Sequence, residues 1–436
     1  MSAAIDTTEH WLTTLGYSEA SGIVLRSATD VPANHPYSRE IKLMLEQSGE
    51  IRSSAVFEVE QVPAVCFIEL SDSKPFDTAF INEIRQKIWN QNLVSIVIVI
   101  QGDEATAYPV PRNLQAEHSL LLSNASSDGL FSASEVASGA IYNRLPEWFE
   151  RKYRIDRVLQ DNLSAVVDLL TQQQLSKEQA QLLLGKCIFV SYLEHRGIVG
   201  DGYRNHNGVK CLLDLLASGD GEGLDQLFRH LKQDFNGDLL EIEGGANTDW
   251  RDLKPAALDL LAQFLLQTHI RGGQKALWPY DFKYIPVELI SGIYESFLGD
   301  IQRDSGAFYT PRNLATLAVD EAFRGIDAPW KEVVLDGACG SGILLTSAYR
   351  RMLGAKRAQQ NEELSYKQRR DILLSGIRGS DISLAACKVT VFSLISHCLK
   401  TSPLPILSIY KRIRLSNCQN LLGPSSPRNK LQIFSQ

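Results

Sequence analysis

The residues best suited to chemistry lie between positions 333 and 382. Val333-Val334-Leu335 reads as a short buried strand that runs into Asp336-Gly337-Ala338-Cys339-Gly340-Ser341-Gly342. A helix then opens with Ile343-Leu344-Leu345 and continues through Tyr349. Glycine permits positive φ and close approach of a ligand to the backbone, and a helix start offers N–H groups. Spacing narrows the ligand. A dinucleotide fingerprint needs a third glycine, where this chain has Leu345. A phosphate-binding Walker loop needs a following Gly-Lys-Ser/Thr, which is absent. The remaining pattern is Asp-x-x-x-Gly-x-Gly, with a carboxylate just ahead of the loop. That carboxylate repels pyrophosphate and attracts an ammonium group. S-adenosylmethionine, with its α-amino group and sulfonium, suits it.

Ribose hydroxyls call for an acid at the end of the next strand. Ile372 to Ile377 reads as that strand, followed by Arg378-Gly379-Ser380-Asp381-Ile382. Asp381 lies 45 residues after Asp336, more than a minimal β-α-β unit needs. The excess reads as a charged, loop-like stretch from Lys356 to Arg370, and helical spacing resumes at Ala385, Val389 and Phe392. The competing reading of Asp381 is an ordinary capping aspartate. Cys339 reads as a small buried filler, since no base or charge partner marks a reactive thiol.

The elements that must position these residues occupy the rest of the 436-residue chain, long enough for about three domains. Hydrophobic residues at 44% and charged residues at 22% indicate a folded globular protein and exclude wholesale disorder. The longest β-rich apolar run, Val94 to Ile100, is far below the roughly 20 residues that span a bilayer. The first residues lack the pattern of a signal peptide. Seven cysteines, at 66, 187, 211, 339, 387, 398 and 418, include no Cys-x-x-Cys pair, which argues against a disulfide framework or a zinc ribbon. A cytoplasmic protein without a metal site is expected.

Residues 1–112 read as mixed α/β. Strands are expected at Ala55 to Val59 and Ala64 to Leu70, a helix at Phe76 to Trp89, a buried strand at Leu93 to Ile100, and a short strand ending near Pro109. This order resembles a restriction-nuclease core, whose chemistry needs Glu-x-Lys. Glu69 is followed by Leu70 and Ser71, so the lysine is missing and a degenerate domain is expected. Residues 113–145 contain the polar Ser123 to Gly129 run and read as a linker. Residues 146–300 read as helical, with apolar faces at Leu159 to Leu170, Gln181 to Glu194, Leu212 to Leu216, Leu224 to Leu231 and Ala257 to Gln267. Two further stretches, Asp234 to Leu239 and Leu277 to Phe282, read as packing features, and Pro286 as the first turn of a helix.

Within residues 301–436 the motifs resemble a known family. Asp336 to Gly342 resembles motif I of the N6-adenine DNA methyltransferases. Gly306-Ala307-Phe308-Tyr309-Thr310-Pro311 resembles the motif that precedes it in the gamma class, and Gly379-Ser380-Asp381-Ile382 resembles motif II. Leu277 to Leu298 and the helices before it are similar to type I modification subunits and to single-chain restriction–modification and phage-defence methylases. The resemblance covers roughly residues 150–395. It implies a helical domain and then an incomplete Rossmann-like methyltransferase sheet acting on double-stranded DNA; with the nuclease-like first domain the expected fold class is α/β. Carried over, Tyr309, Thr310 and Pro311 would line the methionine end of S-adenosylmethionine. Asp336 would meet its amino group, and Ala338, Cys339, Gly340, Ser341 and Gly342 would lie under it. Asp381 would hold the ribose and Ile382 would touch the adenine. Tyr309 has the alternative of a plain core aromatic.

One family motif is absent. Adenine methylation uses Asn/Asp-Pro-Pro-Tyr/Phe to hold the flipped base and its amino group, and no Pro-Pro occurs in these 436 residues. The 55 residues after Asp381 carry seven Lys or Arg and no acid, within a chain of net charge −7. They can be read as a DNA-facing surface or as an end that never belonged to a selected fold. The expectation is an incomplete methyltransferase sheet, poorly soluble alone, with a second chain supplying the catalytic motif and target recognition. A noncatalytic DNA- or protein-binding subunit is the main alternative. A nucleotide-dependent enzyme of another class is disfavoured by the absent third glycine and lysine. Arg350, Arg351, Lys356, Arg357, Lys367, Arg369 and Arg370 suit either phosphate contacts or a solvated helix pair.

Overall fold

The computed structural model describes residues 7–19, 22–71, 77–111, 119–122, 126–234, 249–267, 279–292, 310, 312–381 and 384–399. It divides into two compact units, Met1–Leu159 and Gln160–Gln436.

The first unit is built on a six-stranded sheet in chain order. Helix α1 (Thr7–Thr14), strand β1 (Ile23–Leu25) and helix α2 (Ser38–Leu45) precede β2 (Ala55–Val59) and β3 (Val62–Leu70). Glu60 and Gln61 both take positive φ between them, the backbone of a tight two-residue hairpin. Helix α3 (Thr78–Gln91) crosses to β4 (Ile96–Gln101), which pairs parallel to β3 from Val65↔Ile96 to Leu70↔Gln101. The expected start of this helix at Phe76 is corrected by Asp77, whose carboxylate accepts from the Ala79 and Phe80 N–H groups; Asn92 ends the helix in the left-handed region. Strands β5 (Glu104–Pro109) and β6 (Leu120–Leu121) complete the sheet antiparallel.

Side-chain alternation sends Phe57, Phe67, Ile96, Ile98 and Ile100 into one core with Trp11, Tyr17, Phe131 and Trp148. Helices α4 (Ala133–Ala137) and α5 (Ala140–Arg144) bring Val136 and Ile141 to the same core. Glu69 accepts a hydrogen bond from the Thr8 hydroxyl. Among the described residues no group of three His, Cys, Asp or Glu side chains could hold a metal.

The second unit opens within α6 (Ile155–Gln172) and continues through α7 (Lys177–His195), α8 (Asp201–Asn207), α9 (Leu212–Ala217), α10 (Gly221–Asp234) and α11 (Pro255–Leu266). Helix α7 starts at a capping box of Ser176 and Gln179, and Gly197 follows its end at φ +71°. The Phe235 to Leu239 turn lies outside the described residues, as do Leu277 and Trp278. Helix residues follow at 287–292 (α12), with Pro286 immediately before them. No helix among the described residues is long and apolar enough to cross a membrane.

The unit ends with α13 (Arg312–Ala322), β7 (Val334–Asp336), α14 (Ile343–Gln360), α15 (Tyr366–Gly376), β8 (Ile377–Gly379) and α16 (Leu384–Leu399). Three sequence expectations are corrected here. Lys356 to Arg370 is not a loop, because α14 runs on to Gln360 and α15 begins at Tyr366. Asn361 takes the left-handed conformation that ends α14, and Ser365 with Gln368 forms a capping box that starts α15. Ile372 to Gly376 is helical, so only Ile377 to Gly379 forms the strand. Strand β7 is not buried: Val333 and Leu335 are 63% and 64% exposed, because β8 is its one strand neighbour among the described residues.

A buried carboxylate holds this last group of helices. Glu288 on α12 lies 2.5 Å from Arg350 on α14, 4.0 Å from Arg312 on α13 and 3.7 Å from His397 on α16. Beside it, the Ser291 and Ser393 hydroxyls join α12 to α16 at 2.5 Å. Burial alone would raise the Glu288 carboxyl, but Arg312, Arg350 and His397 outweigh it and hold it well below the usual range. Burial, aided by Arg350 and Arg196, lowers His397 from 6.5 to about 4 against the pull of Glu288. His397 is therefore neutral in the fold at neutral pH.

Both groups bind protons less readily in the folded chain than in the unfolded one. Their stabilisation is complete above pH 6.5 and is lost as pH falls, from 6.5 towards 4 for His397 and below 4.5 for Glu288. The melting temperature is expected to fall between pH 7 and pH 4.5, with His397 contributing a slope of up to about 1.4 kcal/mol per pH unit. His397→Gln, which cannot titrate, should flatten the curve in that window. An unchanged slope in that variant would remove His397 from the account.

Candidate functional site

Strands β7 and β8 pair in parallel, Val334↔Ile377, Leu335↔Arg378 and Asp336↔Gly379. Asp336 therefore ends one strand, and Asp381 follows two residues beyond the end of its neighbour. Ligands of open parallel sheets bind outside these carboxyl ends of strands.

The loop between Asp336 and α14 is held by its own backbone and by both flanking elements. The Asp336 carbonyl accepts from Ser380 N–H at 2.9 Å, and the Ser380 carbonyl accepts from Cys339 N–H at 2.9 Å. The Asp336 carboxylate accepts from Ala338 N–H at 3.1 Å, folding the loop start around it. Gly342 N–H closes a turn onto the Cys339 carbonyl at 2.8 Å. The Asp381 carboxylate accepts from Gly340 N–H at 2.9 Å. From α16, the Thr390 hydroxyl donates to the Gly340 carbonyl at 2.8 Å.

The glycines have distinct reasons. Gly340 and Gly342 take φ of +51° and +83°. A Cβ on Gly342 would also lie 2.6 Å from the Thr390 methyl. Gly337 has neither constraint, with nothing within 4 Å of its built Cβ.

The structure thus brings Asp336, Ala338, Cys339, Gly340, Ser341, Gly342 and Asp381 together. Asp336 is half-buried, Ala338 is exposed, and Cys339, Ser341 and Gly342 are buried. Thr310 is half-buried just ahead of α13, while Tyr309, Pro311 and Ile382 lie outside the described residues. The Cys387 thiol beside it, together with burial, pushes the Cys339 thiol well up, so it stays protonated. The donor set fits S-adenosylmethionine: one carboxylate ends β7, another follows just beyond the end of β8, and a glycine loop beside them leads into a helix N-terminus without a side-chain cap.

Sequence reasoning missed Ser380 and Thr390 as anchors of the loop. The available signal was a lone hydroxyl in the apolar run Val389-Thr390-Val391-Phe392. Most of the basic cluster has intramolecular partners. Arg350 meets Glu288, Arg351 meets Asp320 at 3.1 Å, Arg357 meets Glu363 at 3.2 Å and Arg370 meets Asp371 at 2.8 Å. Arg369 donates to the carbonyls of Leu364 and Cys398, and Lys356 bonds Gln359. These contacts favour the structural reading of the cluster.

The two glycines at the ends of the loop should separate on substitution. Gly342→Ala combines a disfavoured φ with a clash against Thr390 and should cost about 2–4 kcal/mol. Gly337→Ala should stay within about 0.5 kcal/mol of wild type. Denaturant midpoints measure both, and a Gly337 variant as unstable as the Gly342 variant would refute this geometry.

Comparison with known proteins bears on this segment. Residues 287–384 match the family model for N-6 DNA Methylase. No curated protein matches the chain. Among solved structures, the chain is similar to the type IIG restriction endonuclease BpuSI at 16% identity, covering 89% of this chain and 39% of that one, with a TM-score of 0.28. A modification subunit of a putative type I restriction enzyme from Vibrio vulnificus YJ016 matches at 17% identity, 57% of this chain and 56% of that one, TM-score 0.27. DrdV, in a DNA complex, matches at 11% identity, 90% and 38%, TM-score 0.31. The chain thus spans between 38% and 56% of the length of these structures. The matched segment, residues 287–384, carries Glu288, the glycine loop and Asp381, and through it the chain is similar to the N-6 DNA methylases.

Proposed function

We propose that this chain holds S-adenosylmethionine on the Asp336–Gly342 loop and serves adenine-N6 methylation of double-stranded DNA in a restriction–modification or phage-defence system. The observation that supports this most is the pair of carboxylates at the ends of adjacent parallel strands, flanking a loop with two positive-φ glycines.

Each residue has a task in this reading. Asp336 attracts the ammonium of the methionine end. Tyr309, Thr310 and Pro311 line that end, and Ala338, Cys339, Gly340, Ser341 and Gly342 form the floor. Asp381 accepts from the ribose hydroxyls while one of its oxygens braces Gly340 N–H, so loop and sugar share one group. Ile382 touches the adenine. The cofactor, when bound, supplies an electrophilic methyl group. Asn/Asp-Pro-Pro-Tyr/Phe does not occur in these 436 residues, so the groups that hold the target adenine are assigned to polypeptide outside this sequence, such as a second chain that also recognises the target.

The same reading makes residues 1–112 the body of a degenerate nuclease-like domain, 146–300 a helical domain and 301–436 the first part of a Rossmann-like methyltransferase domain; residues 113–145, expected from the sequence to be a linker, instead carry β6, α4 and α5, and Phe131, Val136 and Ile141 pack in the first unit's core. The setting is cytoplasmic.

Isothermal titration of the full chain with S-adenosylmethionine tests the proposal. Wild type should bind, and Asp336→Ala should weaken binding at least tenfold, about 1.4 kcal/mol, while keeping its melting temperature. No binding to a cooperatively folded wild type would refute the cofactor role and leave a noncatalytic binding subunit as the better reading.

A further inference from the structure

A buried hydroxyl behind the glycine loop belongs to none of the motifs that carry the family resemblance. Thr390 lies in the interior of α16 and is 3% exposed. Its chain neighbours Val389, Val391 and Phe392 are buried as well. A hydroxyl in the middle of a helix usually bonds the carbonyl one turn back. Ser393 and Ser396 on this same helix do so, to Val389 and Phe392 at 3.0 and 2.8 Å. Thr390 instead reaches across to the Gly340 carbonyl at 2.8 Å, with the Cys339 sulfur at 3.8 Å. Its methyl lies 2.6 Å from where a Cβ on Gly342 would be.

The consequence follows from peptide geometry. A trans peptide carries its C=O and N–H on opposite sides. Holding the Gly340 carbonyl towards α16 turns the Ser341 N–H away from α16. Gly340, which has no Cβ and sits at φ +51°, would otherwise let this peptide rotate with little steric resistance on its side. The Asp381 carboxylate fixes the N–H side of Gly340 at 2.9 Å, so Thr390 and Asp381 clamp the two peptides that flank one glycine.

We propose that Thr390 is a positioning residue of the cofactor loop: its hydroxyl, donated to the Gly340 carbonyl, sets the Gly340–Ser341 peptide in the orientation on which S-adenosylmethionine affinity depends. This rests on the reading of the loop as the cofactor site. A merely space-filling Thr390 would be replaced well by valine and poorly by serine. A positioning hydroxyl predicts the reverse order.

The test uses the full chain with Thr390→Val and Thr390→Ser, read by amide hydrogen exchange over residues 337–342 without cofactor and by titration with S-adenosylmethionine. Thr390→Val should speed loop exchange at least tenfold and weaken binding about tenfold, with the melting temperature little changed. Thr390→Ser should restore both to within about threefold of wild type. Equal behaviour of wild type and the valine variant, or a serine variant as defective as valine, would overturn the proposal. If wild type binds no S-adenosylmethionine, the cofactor reading fails and the affinity claim falls with it. The exchange data then decide alone whether the hydroxyl holds the loop, and unchanged exchange in the valine variant would overturn that too.

Discussion

The Glu288 carboxylate, with 4% of its side chain exposed, is the interaction on which the rest of the candidate site depends. A buried carboxylate is tolerable only when paired, and breaking such a pair typically costs about 3–5 kcal/mol. Its partners come from α13, α14 and α16, and α14 and α16 are the two helices that meet the glycine loop. The directional Arg350–Glu288 bond, with Arg312 and His397 close by, bears on how these helices register against one another. Apolar packing alone would leave that register looser. The anchor therefore fixes where the first turn of α14 and the Thr390 side of α16 can be.

The loop lies in front of this frame and is restrained on three sides. Ser380 brackets it from β8, Asp381 takes Gly340 N–H, and Thr390 takes the Gly340 carbonyl. Two glycines at positive φ make the loop easy to build but also easy to distort. The bonds from β8 and α16 offset that freedom before any ligand arrives. A loop ordered in advance has less conformational entropy to lose on binding, which is how a few buried bonds outside the ligand contact can influence affinity.

Strand β7 shows the opposite balance. Parallel strands are normally covered on both faces, yet Leu335 and Val333 are largely exposed. The apolar character of Val333-Val334-Leu335 belongs to a strand adapted to burial. Among the described residues, β8 pairs along one edge of β7 and α14 packs against it.

The sequence by itself determined the strand–loop–helix around Asp336, the acid that follows the neighbouring strand, the helical middle of the chain and the strand–strand–helix–strand order of the first unit. Each is written in short-range signals: glycine spacing, a 3.6-residue apolar period, alternation and caps. The extent of α14 and α15 was less legible, because Lys356 to Arg370 is rich in charge and its apolar stripe is thin. The capping residues Asn361 and Ser365 were the better guide there. Only the tertiary structure decided that Glu288, Arg312, Arg350 and His397 meet, that Asp381 braces Gly340, and that Thr390 reaches the loop from 50 residues away. These contacts join positions far apart in the chain, and no local period or spacing encodes which distant hydroxyl or carboxylate a backbone group will find.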